Sequence, residues 1–409
     1  MRNHAWTHVA RTAAALAAAM GIGRFAYTPI LPLMTAHAGL SAQAAGHLAA
    51  ANYVGYLVGA VAGAVSPRLA RSAAACRGSL VVLVASLAAM AVTTNVIEWL
   101  ALRLVAGIAS ALVFVIAVNM LLDHLHGHPA HLPGWAFGGV GVGIALSAAL
   151  VFVLPTNAGW RAAWWTAAAL AAVLSVSAWS MRPTAAPVIV STPNTQRHNV
   201  NRPFALLFGS YTLEGIGYII AGTFLVAAVA QHSPGWLGNG TWLVVGLAVI
   251  PSAALWGRLS TYFSHPILLT TALLLQAAGI ALACTGSGAA ALLGAILFGG
   301  TFIGVSTLAL AAGRLLQFPS AVALLTVGYS VGQIIGPVAV SPLLRHGFEQ
   351  ALIVGSLVVL LAALAAILMR IVGWQPHGGR VQAEVAEVAG ECLDDGLHRG
   401  VVLAPSPHQ

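Results

Sequence analysis

The chain has 409 residues, 59% of them hydrophobic and 6% charged, with a formal net charge of +8 and a mean hydropathy of +0.90. Soluble domains carry about 25% charged residues, so this composition excludes an ordinary soluble globular protein and reads as an integral membrane protein. All 17 basic residues are Arg; they form no run and have no aromatic platform beside them, which argues against nucleic acid as a partner.

The N-terminus, with Arg2, Arg11 and an Ala-rich run, superficially resembles a secretory leader. The apolar stretch continues through Phe25 to Met34, too long for such a leader, and predicts an uncleaved first helix. Stretches long and apolar enough to span a bilayer recur along the chain. They are 10–35, 44–66, 78–94, 99–122, 133–154, 161–181, 203–230, 240–259, 266–284, 287–312, 319–344 and 350–371, twelve in all. With both termini on the cytoplasmic side, 13 arginines fall in cytoplasmic segments. Only Arg161 and Arg345 fall outside, and Arg24 and Arg103 lie within helices. The positive-inside rule supports both the count and the sidedness.

Residues 182–202, rich in Pro, Thr and Asn, form the one long polar stretch between spans. They divide the chain into an N-terminal six-helix bundle (1–181), a cytoplasmic linker (182–202), a C-terminal six-helix bundle (203–371) and a polar cytoplasmic tail (372–409) expected to lack stable structure. The halves align in order. Gly21-Ile22-Gly23 matches Gly215-Ile216-Gly217 at an offset of 194, and Arg68-Leu69 matches Arg258-Leu259 at 190. Gly107 matches Gly300 at 193, and Val142-Gly143 matches Val331-Gly332 at 189. Four matches at nearly one offset indicate duplication, and an even number of spans per half makes the repeat parallel.

Charges inside spans are costly and mark substrate or ion pathways by default. At 1.5 Å per residue, Arg24 lies roughly 20 Å into span one and Glu214 roughly 17 Å into span seven, both near the midplane. Arg24 is the expected anchor for an anionic substrate, because guanidinium matches a carboxylate with two parallel donors. Glu214 is the expected proton carrier, a carboxyl held away from water being able to exchange protons in the physiological range. The competing reading is a buried Arg24–Glu214 pair that only fastens the halves. Arg103, about four residues into span four, either snorkels to the interface beside Glu98 or takes part in coupling. Tyr27, Thr28, Asn52, Tyr56, Asn119, Tyr218 and Gln333 fall within spans and are the expected polar lining of a cavity, with Phe25 and Tyr329. Individually, such residues are more often helix–helix glue than ligands.

Other motifs carry less. Cys76, Cys284 and Cys392 are far apart, so neither a disulfide framework nor a zinc site is expected. His124, His126, His128 and His131 share a Gly- and Pro-bearing loop with no fixed ligand geometry, and no metal or cofactor is expected. Small residues at four-residue spacing (Gly55, Gly59, Gly63; Gly139, Gly143, Ser147; Gly328, Gly332, Gly336) mark close helix crossings.

The runs GIGRFAYTPILPLM at 21–34, PGWAFGGVGVGIALS at 133–147 and YTLEGIGYIIAGTFLV at 211–226 make the chain resemble the major facilitator superfamily, in particular its YbfB/YjiJ-type branch. Arg103-Leu-Val-Ala-Gly107 is similar to the superfamily's RxxxG motif, which the resemblance associates with energy coupling. The loop after span two departs from the family pattern: Gly63-Ala-Val-Ser-Pro67-Arg68 has no Asp before the Arg. The resemblance implies an all-α membrane protein of two pseudo-symmetric six-helix bundles and a monomer. The expected function is secondary transport of a small organic anion across the bacterial inner membrane, coupled to protons. Efflux of amphipathic or cationic compounds drawn to Glu214 is the alternative, and a non-transporting sensor a more distant one. No HExxH, Ser/His dyad or paired acids mark an intramembrane enzyme.

Overall fold

The computed structural model describes residues 2–125, 132–154, 159–181, 201–233, 235–372 and 374. Residues 182–200 of the expected linker, all of the tail but 372 and 374, and His126, His128 and His131 lie outside the described residues.

Among the described residues the chain is all-helical, and twelve helices are long and apolar enough to cross a membrane. They are span 1 (Ala5–His37), span 2 (Ala42–Val65), span 3 (Ala73–Met90), span 4 (Val96–His124), span 5 (Leu132–Val153) and span 6 (Gly159–Ala178). Span 7 (Asn201–His232), span 8 (Trp236–Leu259), span 9 (His265–Leu282), span 10 (Gly288–Leu315), span 11 (Ala321–Val340) and span 12 (Glu349–Ile371) follow. Starts are set locally by capping, where a side-chain oxygen takes up a free N–H of the first turn. Ser41 accepts from Ala44 N, Ser72 from Ala75 N and Asn95 from Ile97 N. Span 11 ends earlier than the apolar run to 344 predicts, because the chain turns at Ser341 and Pro342 into a short 3₁₀ segment, Leu343–His346.

The spans form two six-helix bundles with matching internal contacts. Span 2 packs on span 4, span 3 on spans 4 and 6, and span 1 on spans 5 and 6. Six spans later the pattern repeats: span 8 on 10, span 9 on 10 and 12, span 7 on 11 and 12. Between the bundles, spans 5 and 8 make the most extensive contact, and spans 2 and 11 make the contact that the repeat relates to it. Spans 1 and 7 meet between these two contacts. Apolar side chains such as Val58, Leu357, Leu361 and Leu364 are exposed on the outer faces, as lipid-facing surfaces require.

Glycine sets how closely the helices approach. A Cβ on Gly55 would collide with the Leu104 carbonyl, and one on Gly107 with the Asn52 carbonyl. Gly141 and Gly246 do the same at the crossing of spans 5 and 8. In the second bundle the equivalent close approach is made by Gly299, against the Val245 carbonyl, whereas a Cβ on Gly300 would meet nothing within 4 Å. In span 10 the counterpart of Gly107 is therefore Gly299, an offset of 192, one less than the sequence match to Gly300 implies.

Gly107→Ala is expected to destabilise the protein by about 1–3 kcal/mol through overpacking. Gly300→Ala is expected to be neutral or to gain up to about 1 kcal/mol of helix propensity. Thermal unfolding of the two variants in detergent checks this, and equal losses would refute the shifted register.

Candidate functional site

The site begins at a break in span 1. This span runs as an α-helix over Arg2–Leu16, a π-helix over Ala17–Ile22, a turn at 23–26, and an α-helix again over Tyr27–His37. Pro29 and Pro32 have no N–H, so the carbonyls four residues earlier lose their usual donors. The Phe25 carbonyl accepts from Thr28 N at 3.2 Å, and Gly23 N donates five residues back to Ala18 O at 2.9 Å.

Behind the break stands Arg103 of span 4, only 1% exposed. It donates Nη1 to Gly23 O at 3.1 Å and Nη2 to Arg24 O at 3.2 Å, and its guanidinium lies 5.1 Å from the centre of the Tyr27 ring. Asn52 Nδ2 donates to the Arg103 carbonyl at 2.9 Å, and Tyr27 Oη donates to Ala45 O at 3.0 Å. Arg103 thus points inward, onto span 1, rather than to the interface. Glu98, its supposed partner, accepts from Thr93 instead. Arg103, Asn52 and Tyr27 together tie spans 1, 2 and 4 around the break.

In front of the break, Arg24 crosses the seam between bundles. Its Nη2 donates to Gln333 Oε1 of span 11, and Gln333 Nε2 donates to Tyr218 Oη of span 7 at 2.7 Å. The guanidinium carbon lies 4.5, 4.8 and 5.3 Å from the ring centres of Tyr56, Tyr53 and Phe25. Arg24 is 3% exposed and its Nε has no hydrogen-bond partner. Among the described residues, carboxylates contact Arg71 (Asp123, 3.9 Å) and His232 (Glu349, 3.7 Å), and none contacts Arg24 or Arg103. Further along span 1 the seam is closed by Thr28 Oγ1 donating to Gly222 O at 2.5 Å and by Tyr53 Oη with Thr223 Oγ1 at 3.2 Å. Phe25 meets Phe302 edge-on at 5.3 Å.

Glu214 is fully buried, one helical turn before Tyr218 on span 7. It stands beside Gln276 of span 9, but neither its oxygens nor the carboxamide atoms of Gln276 complete a hydrogen bond. No ion pair joins it to Arg24, so a salt bridge between these two does not fasten the halves. The structure therefore brings Arg24, Tyr56, Tyr218 and Gln333 together at the seam, with Thr28 a turn beyond. Tyr27, Asn52 and Arg103 lie behind it, and Glu214 within the second bundle. Asn119 is elsewhere, donating to Ala70 O at 3.4 Å.

Sequence reasoning passed over Tyr53, Gln276 and Phe302. Tyr53 was findable, since it lies three residues before Tyr56 and so shares a helix face with it. Gln276 was findable too, as a carboxamide midway along span 9 is as anomalous as the polar residues that were named. Phe302 gives no local signal in an apolar span.

Two matching bundles of six spans, with a buried guanidinium on the seam between them, define a membrane transporter of the major facilitator fold. A family profile described as "Uncharacterised MFS-type transporter YbfB" matches residues 16–367, and the chain belongs to that family. The crystal structure of a mutant of the nucleoside transporter NupG has the same fold, with a TM-score of 0.67 at 12% identity, over 88% of this chain and 99% of that one. At that identity the likeness concerns the fold alone. Comparison with curated proteins finds no match. The chain is thus a multi-pass membrane protein and a secondary transporter.

Arg103→Met removes two charged donors from backbone carbonyls that are buried with the break. A loss of about 2–4 kcal/mol is expected. Arg103→Lys should recover only part of it, since an ammonium on a flexible stem cannot present the planar fork. Melting temperatures in detergent check the order wild type, Lys, Met, and a Met variant as stable as wild type would refute the role.

Proposed function

We propose that the protein moves a small organic anion across the bacterial inner membrane by alternating access, coupled to protons, with both termini cytoplasmic. The observation that carries this reading is Arg24, a buried cation at the seam with an unused donor and no carboxylate beside it. A substrate carboxylate would supply the missing charge. Gln333 and Tyr218 on one side and Tyr56 on the other give the anion neighbours from both bundles, so its binding senses their relative position. Thr28 marks the closed side of the seam, and Tyr27 and Asn52 support the shape of the site from behind.

Proton coupling is assigned to Glu214. Lying one turn from Tyr218 on the same helix, it can bias the seam through span 7 without lining the substrate path. Arg103 takes part as a positioning residue, holding the backbone carbonyls of Gly23 and Arg24 and so linking span 4 to the anchor. The distribution of arginines, 13 in segments on one side against two on the other, supports the orientation. Cationic efflux is disfavoured because it needs Glu214 free to meet a cation, whereas this carboxyl is fully buried within the second bundle, one turn back from Tyr218.

A thermal-shift screen of carboxylate metabolites against purified protein supplies a labelled substrate, because a bound ligand stabilises by mass action. In proteoliposomes, Arg24→Gln is then expected to lower both pH-driven accumulation and substrate exchange at least tenfold. Glu214→Gln is expected to abolish pH-driven accumulation while exchange persists. Accumulation that stays pH-driven in Glu214→Gln would remove the proton-carrier assignment, and undiminished exchange in Arg24→Gln would remove the anion site.

A further inference from the structure

Resting on that reading, the surroundings of Arg24 narrow the substrate further. Two of the chain's seven tyrosines, Tyr56 and Tyr53, present their rings to its guanidinium at 4.5 and 4.8 Å, Tyr218 reaches it through Gln333, and Tyr329 stacks on Tyr218. Cation–π contact accounts for Tyr53 and Tyr56 and the Gln333 bond for the Tyr218 hydroxyl, but neither accounts for the stacking of Tyr218, Tyr329 and Tyr211 into one column. The ring surface is also continuous across the seam. Phe25 of span 1 meets Phe302 of span 10, and Phe302 meets Tyr218 edge-on at 5.1 Å. Tyr218 lies nearly parallel to Tyr329, with centroids 5.4 Å apart and planes 9° from each other. Tyr329 in turn stacks on Tyr211 at 4.4 Å. Within this column Tyr329 is only half-buried, while Tyr218 and Tyr211 are buried. With Tyr218 and Tyr211 on its two faces, it offers a ligand its exposed edge. Stacked and edge-on arrangements of this kind favour an aromatic ring over an aliphatic one of equal size.

The charge at the site limits the substrate to one carboxylate. Arg24 has one donor on the neutral Gln333 oxygen and Nε unused. The other buried guanidinium, Arg103, has both terminal nitrogens committed to backbone carbonyls. A second carboxylate on the ligand would find no cation.

We propose that the Arg24 site takes a planar aromatic monocarboxylate. The carboxylate replaces the Gln333 carboxamide oxygen on Arg24, and the ring meets the edge of Tyr329. Replacing a neutral acceptor by a charged one strengthens the bond to Arg24. It also releases Gln333, and with it the Arg24–Gln333–Tyr218 link between the bundles, so substrate entry itself undoes a contact that holds the empty protein.

The test compares the binding of benzoate, cyclohexanecarboxylate and succinate to the purified full-length protein, by thermal shift and by isothermal titration. Benzoate is expected to bind at least tenfold more tightly than either of the others. Tyr329→Leu is expected to reduce the preference for benzoate over cyclohexanecarboxylate below about threefold. Cyclohexanecarboxylate or succinate binding as tightly as benzoate would overturn the aromatic monocarboxylate class and leave the anion reading standing. Failure of all three to bind would overturn both. The comparison of ligands on the unmodified protein decides the matter even if Tyr329→Leu does not fold, and an unchanged preference in a folded Tyr329→Leu would remove Tyr329 as the ring's support.

Discussion

Everything at the centre of this molecule answers to the cost of holding the Arg24 guanidinium away from water. On insertion scales a charge at mid-helix costs about 2.5–3.5 kcal/mol. Three ring faces, at about 0.5–2 kcal/mol each for cation–π contact, and one hydrogen bond to a carboxamide offset part of it. They do so without neutralising the charge, and that distinction matters. A carboxylate in place of Gln333 would give a cheaper but inert core. A neutral acceptor keeps the guanidinium buried, satisfied in geometry and still short of an anion. On the proposed reading the seam is then stable when empty and selective for negative charge when offered it, the combination a substrate site between two moving bundles requires.

The second buried arginine shows that residue type alone does not decide a role. Arg103 and Arg24 are both buried guanidiniums near Tyr rings, yet one is spent on the chain and the other is not. The difference traces to the irregular stretch of span 1, a π-helix over Ala17–Ile22 and a turn at 23–26, where Thr28 N bonds Phe25 O rather than Arg24 O. Peptide carbonyls near a break inside a bilayer need donors, and a guanidinium presents two side by side. Arg103 meets Gly23 and Arg24 carbonyls at 3.1 and 3.2 Å and thereby fixes the backbone of the very residue whose side chain crosses the seam. Support of this kind explains how an anchor on an interrupted helix can be held in one direction.

Much of this was legible from the sequence, for identifiable reasons. Twelve spans and two bundles follow from hydropathy and the repeat, because a bilayer allows helical spans few alternatives to a run of about 20 apolar residues. Arg24 and Gln333 were legible as anomalies, polar groups where lipid tolerates none. Direction was not legible. Whether Arg103 runs out to the interface or inward to span 1 depends on which carbonyls span 1 leaves free. That depends in turn on the π-helix over Ala17–Ile22 and the turn after it, which leave no mark in composition. Partners across the seam were equally hidden, since Phe302 looks like any other apolar residue until span 10 is placed. The one-residue shift from Gly300 to Gly299 has the same origin. Adjacent glycines are indistinguishable in sequence, and only the rotation of the helix shows which one faces Val245.

The repeat also explains why Arg24 and Glu214 do not pair. At the offset of 194 fixed by Gly21-Ile22-Gly23 and Gly215-Ile216-Gly217, Arg24 corresponds to Tyr218, and Glu214 to Met20. The residues that face each other through Gln333 are therefore the symmetry mates Arg24 and Tyr218, where spans 1 and 7 meet. Glu214 is set back by one turn, against span 9. At the offset of 189 for spans 5 and 11, Gln333 itself corresponds to Ile144, which is fully buried and apolar. Duplication thus supplied a symmetric frame, and each polar function occupies only one copy of it: the cation in the first bundle, the carboxamide and carboxyl in the second. A frame of this kind can rock about its pseudo-axis while its site stays chemically one-sided. On the proposed reading, the anion is held by the first bundle and the proton by the second. Span 7 joins them, because Tyr218 touches the seam and Glu214, a turn away on the same helix, does not. Protonation can then act on the substrate site only through movement of that helix, which makes coupling a mechanical property of span 7 rather than an exchange of charge within a shared ion pair.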